Sequence, residues 1–287
     1  MTEEASGPTV LRILLGTQLR RLREARGITA QQAARAIRAS ESKISRIELG
    51  RNAFREVDIA DLLSLYGITD VAEREQMLSL ASQANQPGWW HRYQDILPQW
   101  FQAYIGLEES AEFIRSYDSQ FVPGLLQTEE YATAILELGE FSLEETNRLV
   151  VLRKERQRRF TTGGLRLWAL IDEMALKRPV GSPALMRSQL EYLLEISDRP
   201  GLTLQVTPFP DGATYLAPSS FSILTFAPSD LPDVVYLEHL TSAMYLDKRM
   251  DVDRYTAAME KMAATSLTPE QSKEFIRGLI NDLEEPE

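Results

Sequence analysis

The sequence predicts two domains, an all-α N-terminal domain and an α+β (mixed α/β) C-terminal domain. Three observations carry this. The 287 residues are enough for two domains of ordinary size, and 44% apolar with 25% charged residues is an ordinary globular composition. Every element readable before about residue 104 is a helix. Beyond it, strand-like alternation at Leu202, Leu204, Val206 and at Phe221, Ile223, Thr225 interleaves with well-capped helices. The expected boundaries are a disordered N-terminus over residues 1–10, a first domain over 11–70, a helical linker over 71–104 and a second domain over 105–287.

The first helix carries Leu15, Leu19 and Leu22 at near-helical spacing, with Arg20, Arg21 and Arg26 outside. Next comes the stretch Ile28–Gly50, which reads as two short helices joined by a tight turn. Thr29 followed by Gln32 is a capping box. That helix runs to about Ile37, and Arg38 and Ala39 make the turn. Ser40 caps the second helix, accepting from the N–H of Ser42 or Lys43. Ile44 and Ile47 form its buried face, and Gly50 stops it. Its first turn is built of short polar or charged side chains on an isoleucine anchor, which suits a DNA major groove. An ordinary helical hairpin with a solvated face fits the same composition. Asp58 is placed to cap a closing helix with Ile59, Leu62, Leu63 and Tyr66, ended by Gly67. A further helix, about Val71–Asn85, leads to Pro87-Gly88. The aromatic segment Trp89–Tyr104 reads as a helix packing its bulk onto the second domain or onto a dimer partner rather than as a ligand cage.

Charge separates the two halves. The net charge is −11, yet residues 11–55 carry +8 and the remainder −19. A basic module on an acidic body suits phosphate contact at one end only, with strong salt dependence. There is no cysteine, and His91 and His239 are the only histidines, so thiolate chemistry is excluded and neither a metal nor another cofactor is expected. No signal pattern opens the chain, and no apolar run of about 20 residues could span a membrane. A cytoplasmic, nucleoid-associated protein is expected.

In the second half, Ala111–Ser116, Leu165–Ile171, Leu202–Val206, Ser220–Phe226 and Val234–Glu238 read as strands. Thr128 opens one helix and Ser142 with Glu145 another, to about Phe160. Ser182-Pro183 opens a third, Asp251 a fourth, and Thr268-Pro269 with Gln271 the last.

The N-terminal runs resemble the Xre/Cro/phage-repressor helix-turn-helix family over roughly residues 11–66: LLGTQLRRLREARGIT, QQAARAI, SESKISRIELGR and DIADLLSLYGI. The resemblance implies a structural ion pair between Arg23 and Glu48. It also implies a departure, since Ala30 stands where the family has a phosphate-touching glutamine, and that contact is lost or passes to Gln31 or Gln32. The C-terminal runs VPGLLQTEEYA (122–132), RPVGSPALMRSQLEYLLE (178–195), LTLQVTPF (202–209) and VVYLEHLTSAMYL (234–246) are similar to one group of Xre-type regulators found mainly in actinobacteria. Their C-terminal domain is described as Scr-type toxin–antitoxin-like, and membership implies a small protein partner encoded nearby.

The DNA-binding candidates are then Glu41, Ser42, Lys43 and Arg46 at base edges, and Gln31, Gln32, Ser40, Ser45, Arg51, Asn52 and Arg55 around them and on the phosphates. Arg46 is suited to guanine and Glu41 to a cytosine amino group. A single module covers few base pairs, so a homodimer reading a pseudo-palindrome of double-stranded DNA is expected. No catalytic constellation emerges, and an enzyme is not expected. Glu238-His239, Asp172-Glu173, the Thr161–Gly164 turn and the basic run Arg153–Arg159 all have structural readings. The turn-and-helix run Pro123–Thr128 is either structural or pocket-lining. Three accounts of the C-terminal half compete: docking a small protein, which needs an exposed apolar patch; sensing a small-molecule ligand, which needs a cavity; or catalysis.

Overall fold

A computed structural model describes residues 8–50, 53–162, 164–209, 219–227 and 232–283. The chain divides into two compact units, the first reaching Ser110 and the second starting at Ala111.

The first unit is helical. Its elements are α1 (Pro8–Ala25), α2 (Ala30–Ala36), α3 (Glu41–Glu48), α4 (Glu56–Leu65) and α5 (Val71–Ala84), then a 3-10 turn (Trp89–Tyr93) and α6 (Gln99–Ser110). One core joins the helices α1 to α5: Leu15 and Leu19 of α1, Ala33 and Ala34 of α2, Ile44 and Ile47 of α3, and Ile59, Leu62 and Leu63 of α4. Met77, Ala81 and Ala84 of α5 belong to the same core. The segment read as a helical linker therefore helps build the first core. Its apolar positions recur at helical spacing, so α5 folds back on α1 instead of spanning a gap. Helix α1 already begins at Pro8, inside the stretch expected to lack structure; residues 1–7 of that stretch lie outside the described residues. Trp90, Tyr93 and Tyr104 are buried, and Phe101 stacks on Tyr104.

The second unit is α+β around a six-stranded mixed sheet of order β3-β2-β1-β4-β5-β6. Its strands are β1 (Ala111–Asp118), β2 (Arg166–Asp172), β3 (Leu202–Thr207), β4 (Phe221–Phe226), β5 (Val234–Glu238) and β6 (Ala243–Leu246). The three strands β1, β2 and β3 run parallel, which requires helical crossovers. The first crossover holds α7 (Glu129–Glu137) and α8 (Leu143–Thr162), the second α9 (Glu173–Lys177) and α10 (Pro183–Ile196). Strands β4, β5 and β6 continue antiparallel from β1. After β6 come α11 (Arg249–Thr265) and α12 (Pro269–Asp282). Val252, Met259 and Met262 of α11 pack on one sheet face, against Tyr117, Leu170, Phe221, Ile223, Val235 and Leu237.

Three details differ from the sequence reading. Asp58 does not cap α4. Arg55 holds the N-cap position without a side-chain bond, and Asp58 lies buried in the first turn. Helix α11 begins at Arg249 with Lys248 as N-cap, ahead of Asp251. Strand β6 and the short helix α9 were not foreseen: four and five residues are too few to show a period.

Candidate nucleic-acid interface

The interface rests on two capped helices. Thr29 Oγ1 accepts from the Gln32 N–H at 3.2 Å, and Gln32 Oε1 accepts from the Thr29 N–H at 2.8 Å. Ser40 Oγ accepts from the Lys43 N–H at 3.3 Å. The turn between them places Arg38 at φ 53°, a left-handed conformation that a side chain tolerates only at a cost.

Helix α3 is oriented from its buried side. Ile44 and Ile47 enter the core. Glu48 is buried with them and receives a two-pronged bond from Arg23 of α1: Nε to Oε1 at 2.6 Å and Nη2 to Oε2 at 2.9 Å. Arg23 Nη1 also donates to the Ile28 carbonyl at 2.9 Å, which ties in the start of α2. The bond to Glu48 raises the Arg23 pKa above its already high value, so the guanidinium stays charged. The Tyr66 hydroxyl is buried without a hydrogen-bond partner among the described residues. Burial first, then the nearby Glu48 carboxylate, pushes this phenol up.

Two glycines let α1 approach the end of α3. A Cβ on Gly16 would lie 2.5 Å from the Ile47 carbonyl oxygen and 2.7 Å from that of Glu48. Gly50 combines φ +61° with a Cβ position 2.6 Å from the Ile13 nitrogen. Beyond α3, Asn85 clamps the chain: its Oδ1 accepts from the Phe54 N–H at 2.8 Å and its Nδ2 donates to the Phe54 carbonyl at 2.7 Å. The stop at Gly50 was readable in the sequence. Gly16 and Asn85 carry no local signal of their own, because their partners lie 31 or more residues away.

With the buried side fixed, Glu41, Ser42, Ser45 and Arg46 share the exposed side of α3, since positions i, i+1, i+4 and i+5 lie on one face. Gln31 and Arg55 are exposed on the flanking segments. Other candidates are engaged elsewhere. Gln32 and Ser40 hold their caps. Lys43 reaches inward, its Nζ 2.5 Å from Asp58 Oδ2. This pair holds α3 to the first turn of α4. Arg51 and Asn52 lie outside the described residues.

Several of the second unit's candidates make bonds that support the fold. Asp172 caps α9 through the Met174 N–H at 2.8 Å and accepts from the Tyr117 hydroxyl at 3.1 Å. Glu173 pairs with Lys177 and accepts from the Phe209 N–H. In the Pro123–Thr128 run, Gln127 donates to the Val122 carbonyl, Gln157 to the Gly124 and Gln127 carbonyls, and Gln189 to the Leu126 carbonyl. Three glutamines thus satisfy the carbonyls of one irregular turn. The basic run on α8 is drawn into the same region: Arg153 bonds Gln127, Lys154 pairs with Glu129, and Arg156 is buried. Among the described residues, no group of three or more His, Cys, Asp or Glu is placed to hold a metal ion, and no helix is long and apolar enough to cross a membrane.

An exposed polar helix face, held rigidly by a capped hairpin and an interhelical ion pair, defines a helix-turn-helix DNA-binding domain. A family model for a helix-turn-helix domain matches residues 14–77. The chain itself belongs to the family described as domain of unknown function (DUF5753), whose model matches residues 101–278. No curated protein and no solved structure matches it.

Proposed function

We propose that this protein is a sequence-specific transcriptional regulator that reads a pseudo-palindromic operator as a homodimer. In this reading its C-terminal domain docks a small protein partner in an antitoxin-like system and performs no catalysis, and the protein works in the cytoplasm. The observation that carries DNA reading is the face Glu41, Ser42, Ser45 and Arg46 on a helix whose other side is locked by Ile44, Ile47 and the Arg23–Glu48 pair. Arg46 takes the role of guanine reader, and Gln31, Ser45 and Arg55 that of phosphate contacts. With Gln32 held in its capping box, Gln31 is the side chain left to replace the family's phosphate-touching glutamine at Ala30.

Partner docking is supported by the corner between α7 and α8. Residues 137–144 are all exposed, and they include Leu138, Phe141 and Leu143 among Glu137, Glu140 and Glu144. Exposed apolar clusters of this kind mark interaction sites. The second reading, a small-molecule sensor, is favoured by Asp118 at the end of β1. Its Oδ2 is buried and has no hydrogen-bond partner among the described residues, a place for a ligand's donor.

The test is a titration of labelled upstream duplex with the full chain over a range of salt. A specific complex that weakens steeply with salt is expected. Sequence-indifferent binding by the intact chain, with and without the product of the neighbouring gene, would overturn the reading.

A further inference from the structure

The two edges of the C-terminal sheet are treated differently. At the β3 edge, the chain closes the sheet itself. The Val206 N–H donates to Ser272 Oγ at 2.9 Å, and the Val206 carbonyl accepts from the Leu267 N–H at 2.9 Å. Gln205 Nε2 adds a bond to the Leu267 carbonyl at 2.9 Å. The corner between α11 and α12 therefore stands where another strand would pair.

At the other end, β6 is the terminal strand, and among the described residues it pairs with β5 alone. Apart from its short length of four residues, it lacks the devices that usually keep sheet edges apart, namely charges, prolines and bulges. From His239 to Leu246 there is no Lys, Arg, Asp, Glu or Pro, in a chain of net charge −11. Its register with β5 is unbroken from Glu238↔Ala243 to Val235↔Leu246. Apolar side chains are also presented to solvent here: Leu240 at the hairpin tip is 98% exposed and Met244 on the strand 45%.

The hydrogen-bond phase follows from one bond. The His239 N–H donates to the Ser242 carbonyl at 2.8 Å, so the opposed pair 239/242 is hydrogen-bonded. Such pairs alternate along an antiparallel ladder. Met244 therefore bonds to β5, while Ala243 directs its N–H and carbonyl away from it.

We propose that β6 pairs antiparallel with β6 of a second copy of this chain, joining the two sheets into one. The proposal rests on the homodimer reading above and gives it a location. The edge is self-complementary. Opposed residues of a continuous antiparallel pair share a face, so the two-fold axis passes at a residue, and an axis at Met244 or at Tyr245 overlaps the two strands most fully. In either register Asp247, the first charge beyond the strand, lies opposite uncharged Thr241 or Ala243 of the other copy, and no like charges oppose. An uncharged edge on an acidic body suits its own copy, because elsewhere two copies repel.

The experiment is sedimentation of the full chain, free and on operator DNA, beside two variants. Ala243→Pro removes an outward N–H without touching a β5 bond, and Met244→Lys places like charges together across the axis. A dimeric parent and variants that dimerise about tenfold or more weakly are expected, with unchanged circular dichroism and melting. Because the chain has no cysteine, Met244→Cys gives an independent readout. A short thiol cross-linker should join two copies through it and should not join copies of Leu143→Cys, an exposed control on α8. Variants as dimeric as the parent, with no cross-link at position 244, overturn the β6 interface and leave the homodimer reading standing. A parent chain monomeric both free and on DNA overturns the two together.

Discussion

At the scale of single residues, the side chains of α3 divide between a buried set that holds the fold and an exposed set proposed to read DNA. Arg46→Ala should lower affinity for the operator by about ten- to a hundredfold while leaving melting unchanged, since a bidentate arginine–guanine contact is worth about 1–3 kcal/mol. Fluorescence anisotropy with operator and scrambled duplexes checks it. Glu48→Ala should act in the opposite way. It strands the Arg23 guanidinium, which is only slightly exposed, and should cost about 3–5 kcal/mol in urea unfolding of the first unit. Tyr66→Phe removes a buried hydroxyl with no hydrogen-bond partner among the described residues, so stability should stay within about 1 kcal/mol or rise. Asp118 gives a pH dependence. Burial pushes its carboxyl up to about 7, while the nearby Ser116 hydroxyl pulls it down and the Glu238 carboxylate adds a smaller upward push. The folded state thus binds a proton that the unfolded state releases near pH 4, and its contribution to stability falls as pH rises from about 4 to about 7. The slope is at most about 1.4 kcal/mol per pH unit. Asp118→Asn should flatten this fall, as thermal melts at pH 5 and pH 8 would show.

At the scale of elements, the packing of α1 on α3 is the most demanding contact in the first unit. Gly16→Ala would press a methyl group into two backbone carbonyls, which cannot swing aside as a side chain would. About 1–3 kcal/mol of destabilisation is expected, with a matching loss of DNA affinity as α3 shifts. Ser40→Ala should cost about 1 kcal/mol through the lost cap. Capping signals were the most legible part of the sequence, because a cap and its N–H lie within three residues. Thr29, Ser40, Thr128, Ser182 and Thr268 all cap the helices expected of them. Asp58 looked like another cap. It is taken instead by Lys43, whose Nζ comes from a separate helix, and no local pattern reports such a pair.

At the scale of the whole molecule, the division of charge governs how DNA is approached. Residues 11–55 carry +8 on a chain of −11. Operator affinity should fall by about tenfold or more between about 50 and 200 mM salt, because binding releases counterions from the phosphates. A salt-independent affinity would show that contacts other than phosphates dominate.

What the sequence determined by itself was everything set by neighbours in the chain: two kinds of domain, the hairpin Ile28–Gly50 with its caps, five of six strands, and the basic module. The Arg23–Glu48 pair was reached only through family resemblance, since 25 residues separate its members. Tertiary structure alone decided which candidates are occupied. It drew Lys43 to Asp58, folded α5 into the first core, set three glutamines on the carbonyls around Pro123–Thr128, and placed β6 at an edge of the sheet while closing the other at Val206. The physical reason is range. Propensity, capping and periodicity act within a few residues, whereas burial and the need to pair every buried polar group are settled between segments far apart in sequence.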